Sequence, residues 1–342
     1  MTKGLLFLPA AIAAVLTSGA SAAPAYTVTD LGTLGGTASS AHAINAAGEI
    51  AGVADTASDT SAAFLYSHGQ MKNLGTLGGS VGVGYAINAS SQVAGYATNA
   101  QTYRPFLYNG KKMKDIGDLG GGTATAFGIN RRGDVVGTSH TADGDDDPFL
   151  YDSKTKTMID LGNLGPVSPG DWNVASGIND AGQITGESWD GSVGFFAFLW
   201  DKGKMTNLGT LGGPYSSGTA INRYGQITGQ AYTTGGAQAH AFLWSKGRMK
   251  DLGALPGGPG YSWGVAINSS ATIVGHSELD SGETYVDHAF VYTGKTMRDL
   301  NDLIPHSSGW VLNIAWDVND SGAIVGEGTV GGKVRAFLLT PN

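Results

Sequence analysis

The sequence predicts an all-β fold, a seven-bladed β-propeller of four-stranded blades whose ring is closed by its N-terminal strand. Three observations carry this. A unit recurs along the chain, beginning at Met71, Met113, Met158, Met205, Met249 and Met297 in steps of 42 to 48 residues, with a degenerate start at Tyr26. Self-similarity at that period marks a solenoid, propeller or array. Each unit holds four short apolar segments bounded by Gly, Pro, Asn or Ser, and none has helical spacing, which fits a propeller blade. Finally, the chain opens on a lone fourth segment (residues 26–31) and stops after a third one (residues 335–339). Pairing the two completes the seventh blade and removes two open sheet edges.

Within a unit, the first segment ends in Ala-Ile-Asn, as at Ala220-Ile221-Asn222, and the second reads Gln-Ile-Thr-Gly or a variant. The Asn between them recurs as Asn45, Asn88, Asn130, Asn179, Asn222, Asn268 and Asn319. Gly follows three residues later in five units, while Ser91 and Ala271 replace it in two. Asn first and Gly fourth is the pattern of a type I turn, and an Asn there bonds its own backbone rather than a ligand. The third segment repeats Phe64, Phe106, Phe149, Phe198, Phe242, Phe290 and Phe337, usually with a second aromatic two residues on. Spacing of two puts both rings on one strand face, where they serve packing between sheets. The recurring Met that opens the fourth segment suits the same gap-filling role.

Residues 1–22 read as a secretory signal: Lys3, an apolar run over residues 5–16, and small residues ending Ala20-Ser21-Ala22. The run is too short to span a bilayer. The expected mature protein is one domain, residues 23–342, exported, monomeric and not inserted in a membrane. It has no cysteine, so disulfides play no part in its stability. Net charge is −8, which argues against nucleic acid and anionic membrane surfaces as partners.

The combination DLGTLGG, AIN-x-x-G-x-I-x-G and HAFLW resembles the bacterial HAF-repeat family of predicted extracellular repeat proteins. The triplet that names the family survives as His240-Ala241-Phe242 and His288-Ala289-Phe290; elsewhere its first position holds Ala62, Arg104, Asp147, Phe196 or Arg335. The resemblance spans all seven units. It implies secretion and a repeat fold, and brings no defined activity to particular residues.

In a blade running from inner strand a to outer strand d, the a–b and c–d turns share one face and the b–c and d–a loops share the other. The latter vary in length and chemistry, so a site is expected there. Three d–a loops depart from the repeat, at residues 166–173, 256–263 and 305–310. With Tyr215 they place Trp172, Tyr261, Trp263, His306 and Trp310 in Gly/Pro-rich surroundings, where aromatic rings suit stacking on sugars. The alternative is that each Trp caps its own inter-blade core. A second feature is the b–c loop of unit 3, with Asp143, Asp145, Asp146 and Asp147 around Gly144. Clustered carboxylates suit Ca²⁺, although the spacing is not that of an EF-hand and a solvated acidic loop is the other reading. Third, His42 and Tyr85 precede Ala-Ile-Asn in units 1 and 2, and His276 follows the second-strand Gly of unit 6. A lyase of acidic polysaccharide needs such a base, although the same columns also read as variable packing.

The string G-x-S-x-G occurs at residues 78–82 and 260–264, but no helical pattern follows either one to make a nucleophile elbow, and no H-E-x-x-H motif occurs. The residues therefore favour a secreted binding or scaffold module for polysaccharide or a cell-surface partner. The rival is an extracellular carbohydrate-active enzyme such as a polysaccharide lyase.

Overall fold

In the computed structural model, which describes residues 25–166, 171–282 and 284–342, the chain forms seven four-stranded antiparallel sheets. The expected signal segment, residues 1–22, lies outside the described residues. In blade 1 the strands Gly35–Ile44, Ile50–Thr56, Ser61–Ser67 and Gln70–Gly75 pair in chain order. The first strands of neighbouring blades touch around a complete ring, so each is the innermost strand of its sheet. The protein is a seven-bladed β-propeller.

The ring closes as the sequence predicts. Blade 7 consists of Trp310–Val318, Ile324–Val330 and Lys333–Pro341, with Tyr26–Asp30 as its outer strand. The register runs from Tyr26 opposite Pro341 to Asp30 opposite Phe337. The Asn342 amide then donates to the Ala25 carbonyl at 3.1 Å.

The repeated Asn makes its own turn and also ties one blade to the next. Asn45 Oδ1 accepts from the amides of Ala47 and Glu49, each at 3.0 Å. Equivalent pairs of bonds recur at the other six positions. Asn45 Nδ2 meanwhile donates to the Asn88 carbonyl of the next blade at 3.1 Å. The same link runs from Asn88 to Asn130, Asn179 to Asn222, Asn222 to Asn268, Asn268 to Asn319 and Asn319 to Asn45. Between blades 3 and 4, Arg132 Nη1 donates instead to the Asp180 carbonyl at 2.6 Å.

The core lies between blades. Each repeated Phe is fully buried and sits across the register from a second-strand glycine, from Gly52 opposite Phe64 to Gly326 opposite Phe337. Phe64 packs with Ala323, Val325 and Ala336 of blade 7, and Met71 packs against the same cluster, so the packing role expected for both residue types holds there. The glycine is a steric requirement: a Cβ on Gly229 would stand 1.9 Å from the Ser217 carbonyl oxygen.

Gly229→Ala should lower the unfolding free energy by several kcal/mol or prevent folding, since the clash is with backbone. Ala271, held at φ +58° in its turn, should gain about 0.5–1 kcal/mol on replacement by Gly, because relief of left-handed strain exceeds the added unfolded-state entropy. Urea titrations read both. Deleting residues 25–30 should open blade 7 and yield either oligomers or a loss of cooperative unfolding; a monomer with an unchanged melting curve would refute the closure.

Candidate functional site

Every inner strand carries a register shift just before its final Ile, or before Val318 in blade 7, at Ala41/Ala43 in blade 1 and at the equivalent step in the other six. A bulge inserts one extra residue and re-aims its side chain. The extra residues are His42, Tyr85, Phe127, Ser176, Thr219, Val265 and Trp316, and all seven line a central cavity of about 230 Å³. Its wall residues immediately precede the repeated Asn, so it lies at the a–b turn end. The sequence placed a site on the opposite face; the bulge, which apolar periodicity does not reveal, accounts for this second location.

The cavity wall is lopsided. His42 stacks on Tyr85 with centroids 5.1 Å apart, meets the edge of Trp316 at 5.5 Å, and Tyr85 reaches Phe127 at 5.2 Å. His42 Nδ1 lies 3.1 Å from the Gly84 carbonyl oxygen. Part of the ring touches the cavity, yet desolvation holds its pKa down to about 4, so the imidazole is neutral near pH 7. Burial likewise raises Tyr85 to about 12. Opposite them stand Ser176, Thr219 and Val265. The sequence reading missed Asp317, which occupies a position held by Ala43, Ala86, Ala220 and Ala266 in four other blades. Its Oδ2 accepts from the Ile44 amide of blade 1 and its Oδ1 from the Val318 amide, both at 2.8 Å. Burial raises its pKa to about 6 despite those bonds.

His42 and Tyr85 are thus brought together, whereas His276 is not on this wall. It stacks on Trp263 at 6.0 Å, and its Nδ1 lies 2.8 Å from Asp287 Oδ1. That contact, the main influence on Asp287, holds the carboxyl below the usual range.

The b–c and d–a face carries a second pocket, of about 340 Å³, over blade 3. Trp172 and Tyr103 line it and are 49% and 48% exposed. Its polar groups include Thr123, Thr138 and His140, whose Nδ1 lies 3.1 Å from Asp146 Oδ1. Tyr103 was not singled out from the sequence; its position at the start of strand c, next to the b–c loop, is the only signal for it.

The other expected rim residues lie outside this pocket. Trp310 meets Phe337 edge-on at 6.1 Å, capping the core of blade 7. Trp263 belongs to the inner strand Ser262–Ile267 and is half-buried. Tyr261 donates its hydroxyl to the Ala237 carbonyl at 2.7 Å. Tyr215 donates to Glu187, a carboxyl that burial raises above its usual range. His306 is exposed on the short 3₁₀ turn His306–Ser308.

The acidic loop does not converge. Asp146 and Asp147 are consecutive in the strand Asp146–Asp152 and so point to opposite faces. Asp146 faces His140, while Asp147 is buried and accepts from Asn163 Nδ2 at 2.6 Å. Asp143 is exposed. Among the described residues no group of three or more His, Asp or Glu side chains is placed to hold a metal ion.

No family model matches the sequence, and no curated protein is similar to it. Solved structures are similar in fold. TolB from Acinetobacter baumannii superposes with a TM-score of 0.48 at 12% identity over 73% of this chain and 62% of that one. A gluconolactonase-like protein gives 0.42 at 13% identity, over 93% and 92%. Dipeptidyl peptidase 4 of Porphyromonas gingivalis gives 0.46 at 9% identity, over 88% and 50%. This chain therefore spans less than two thirds of the length of TolB and of the peptidase. The likeness is one of architecture and assigns no activity.

The cavity groups make stability pH-dependent with opposite signs. The folded pKa of His42 lies below the unfolded value near 6.5, so its effect is a loss of stability as pH falls from about 6.5 to about 4. That of Asp317 lies above the unfolded value near 3.9, so its contribution is present below that pH and is lost as pH rises through about 6. His42→Phe, the side chain blade 3 carries, should flatten the acid-side loss. Asp317→Ala should remove the loss that develops between about pH 4 and pH 6. Urea midpoints of the three proteins from pH 4 to 8 check both slopes.

Proposed function

We propose that this propeller is a secreted, non-catalytic binding module that holds a polysaccharide at the rim pocket over blade 3. The observation that carries the reading is the pair of half-exposed aromatic rings, Trp172 and Tyr103, lining one 340 Å³ pocket beside threonine hydroxyls and the His140–Asp146 pair. Sugars offer apolar C–H faces to rings and hydroxyls to polar groups, and binding sites combine such surfaces on a rigid frame. Export rests on the signal-like segment at residues 1–22 and on the resemblance to HAF-repeat proteins.

The lyase alternative receives less support. The described wall around His42 and Tyr85 carries no Lys or Arg to neutralise a uronate, and its one acidic side chain, Asp317, repels such a sugar whenever it is ionised. A tyrosine raised to about 12 is also a poor base at neutral pH.

A glycan-array screen of the protein lacking residues 1–22, with and without Ca²⁺, tests the reading. Saturable binding that Trp172→Ala weakens at least tenfold, about 1.4 kcal/mol, is expected, with Trp310→Ala costing stability instead. Absorbance rising near 235 nm on acidic glycans would overturn the non-catalytic reading, and absence of any glycan binding would overturn the carbohydrate one.

A further inference from the structure

We infer that the central cavity at the a–b end binds a small organic cation of the alkylammonium or quaternary ammonium class, independently of the rim pocket. Four successive blades supply aromatic rings to one side of this cavity: Trp316, His42, Tyr85 and Phe127. Their centroids follow one another at 5.5, 5.1 and 5.2 Å, which makes a continuous aromatic arc. Aromatic faces attract a desolvated cation through their quadrupoles; because His42 and Tyr85 stack on each other, that role falls to the rings at the two ends of the arc, Trp316 and Phe127. At the seam between blades 7 and 1, where two of these rings meet, stands Asp317, the only acidic side chain among the described wall residues.

Asp317 is the departure that needs an account. Most other blades place Ala at its position, and blades 3 and 4 place Gly128 and Gly177, so nothing in the propeller plan calls for a carboxylate there. It costs desolvation, which its raised pKa records, and each oxygen receives one backbone amide. A carboxylate oxygen has further acceptor capacity, and a bound cation would offset the burial of the charge. His42, held neutral by its surroundings, adds a ring without adding a repelling charge. The net charge of −8 raises the local concentration of cations over anions.

Size limits the ligand. The cavity measures about 230 Å³ against roughly 30 Å³ for one water in the liquid, so it takes a molecule of several non-hydrogen atoms and no polymer. Ser176 and Thr219 on the far wall leave room for a hydroxyl on that molecule.

The test is calorimetric titration of the protein with choline chloride, beside its neutral carbon isostere 3,3-dimethyl-1-butanol, at pH 7.5. We expect saturable choline binding, with the isostere weaker by about tenfold or more. Asp317→Ala and Trp316→Val should each weaken choline by about tenfold. Both replacements install side chains that other blades already carry at these positions, and circular dichroism should report an unchanged fold. Asp317→Asn, which keeps the shape and removes the charge, should behave as Asp317→Ala. Co-sedimentation with phosphatidylcholine vesicles, competed by choline, would place the cation on a lipid headgroup; its absence would place it on a free molecule. No saturable choline binding, equal binding of the isostere, or full affinity in a folded Asp317→Asn would each overturn the inference.

Discussion

The side-chain amide of one asparagine per blade is the tie on which this ring depends. Each fixes its own hairpin through two backbone bonds, and all but Asn130 then reach across to the carbonyl of their counterpart, with Asn319 returning to Asn45. Because the donor, the turn and the acceptor are all set by the same residue, neighbouring inner strands are held at a common height. That common height brings the bulges just above to one level, so seven non-equivalent side chains face each other across one cavity. A blade that slipped along the axis would break two such bonds, leaving a buried donor or acceptor unsatisfied at each joint. The joint between blades 3 and 4 keeps its alignment with Arg132 and Asp180 instead.

Two levels of sequence information are superposed in each blade. The invariant set, Asn of the turn, Gly of the second strand and Phe of the third, builds the frame by steric and hydrogen-bonding necessity. The variable set sits where the frame leaves a side chain free to differ: at the bulge, at the start of strand c and in the d–a loops. The recurring Asp-Leu-Gly or Asn-Leu-Gly also serves the frame, although it varies at residues 115–117 and 299–301: the side chain accepts from the amide two residues on, as Asp30 does from Gly32 at 2.8 Å and Asn73 from Gly75 at 2.7 Å.

The architecture was readable because a repeat states its own boundaries seven times, and because a lone fourth strand at one end and a three-stranded blade at the other had a single way to pair. The sites were less readable. Trp172 and Trp310 occupy comparable Gly/Pro-rich loops, yet one is exposed and the other lies on Phe337; loop composition does not encode which way a ring turns. Asp317 was visible as a break in Ala-Ile-Asn but carried no meaning without the bulge beside it. Comparing columns within the repeat would have shown more. His240 and His288 face Asp251 and Asp299, and Arg104 faces Asp115. Where Ala62 and Phe196 replace those bases, the partner in strand d is Asn73 or Asn207. Only Asp147 opposes another acid, Asp160, and its carboxyl is accordingly raised, burial being the larger cause.

The seam between Tyr26–Asp30 and Lys333–Pro341 sets the order in which the molecule can be finished. The strand Tyr26–Asp30 is the last of its blade to find its place, since its partner lies some three hundred residues downstream. Six sheets can assemble from contiguous sequence while the seventh waits. Until it is completed, an unpaired strand edge remains open to a neighbouring chain. Nascent propellers crowded together would therefore be most prone to exchange their first strands, and dilution or a holding partner during synthesis would suppress that exchange.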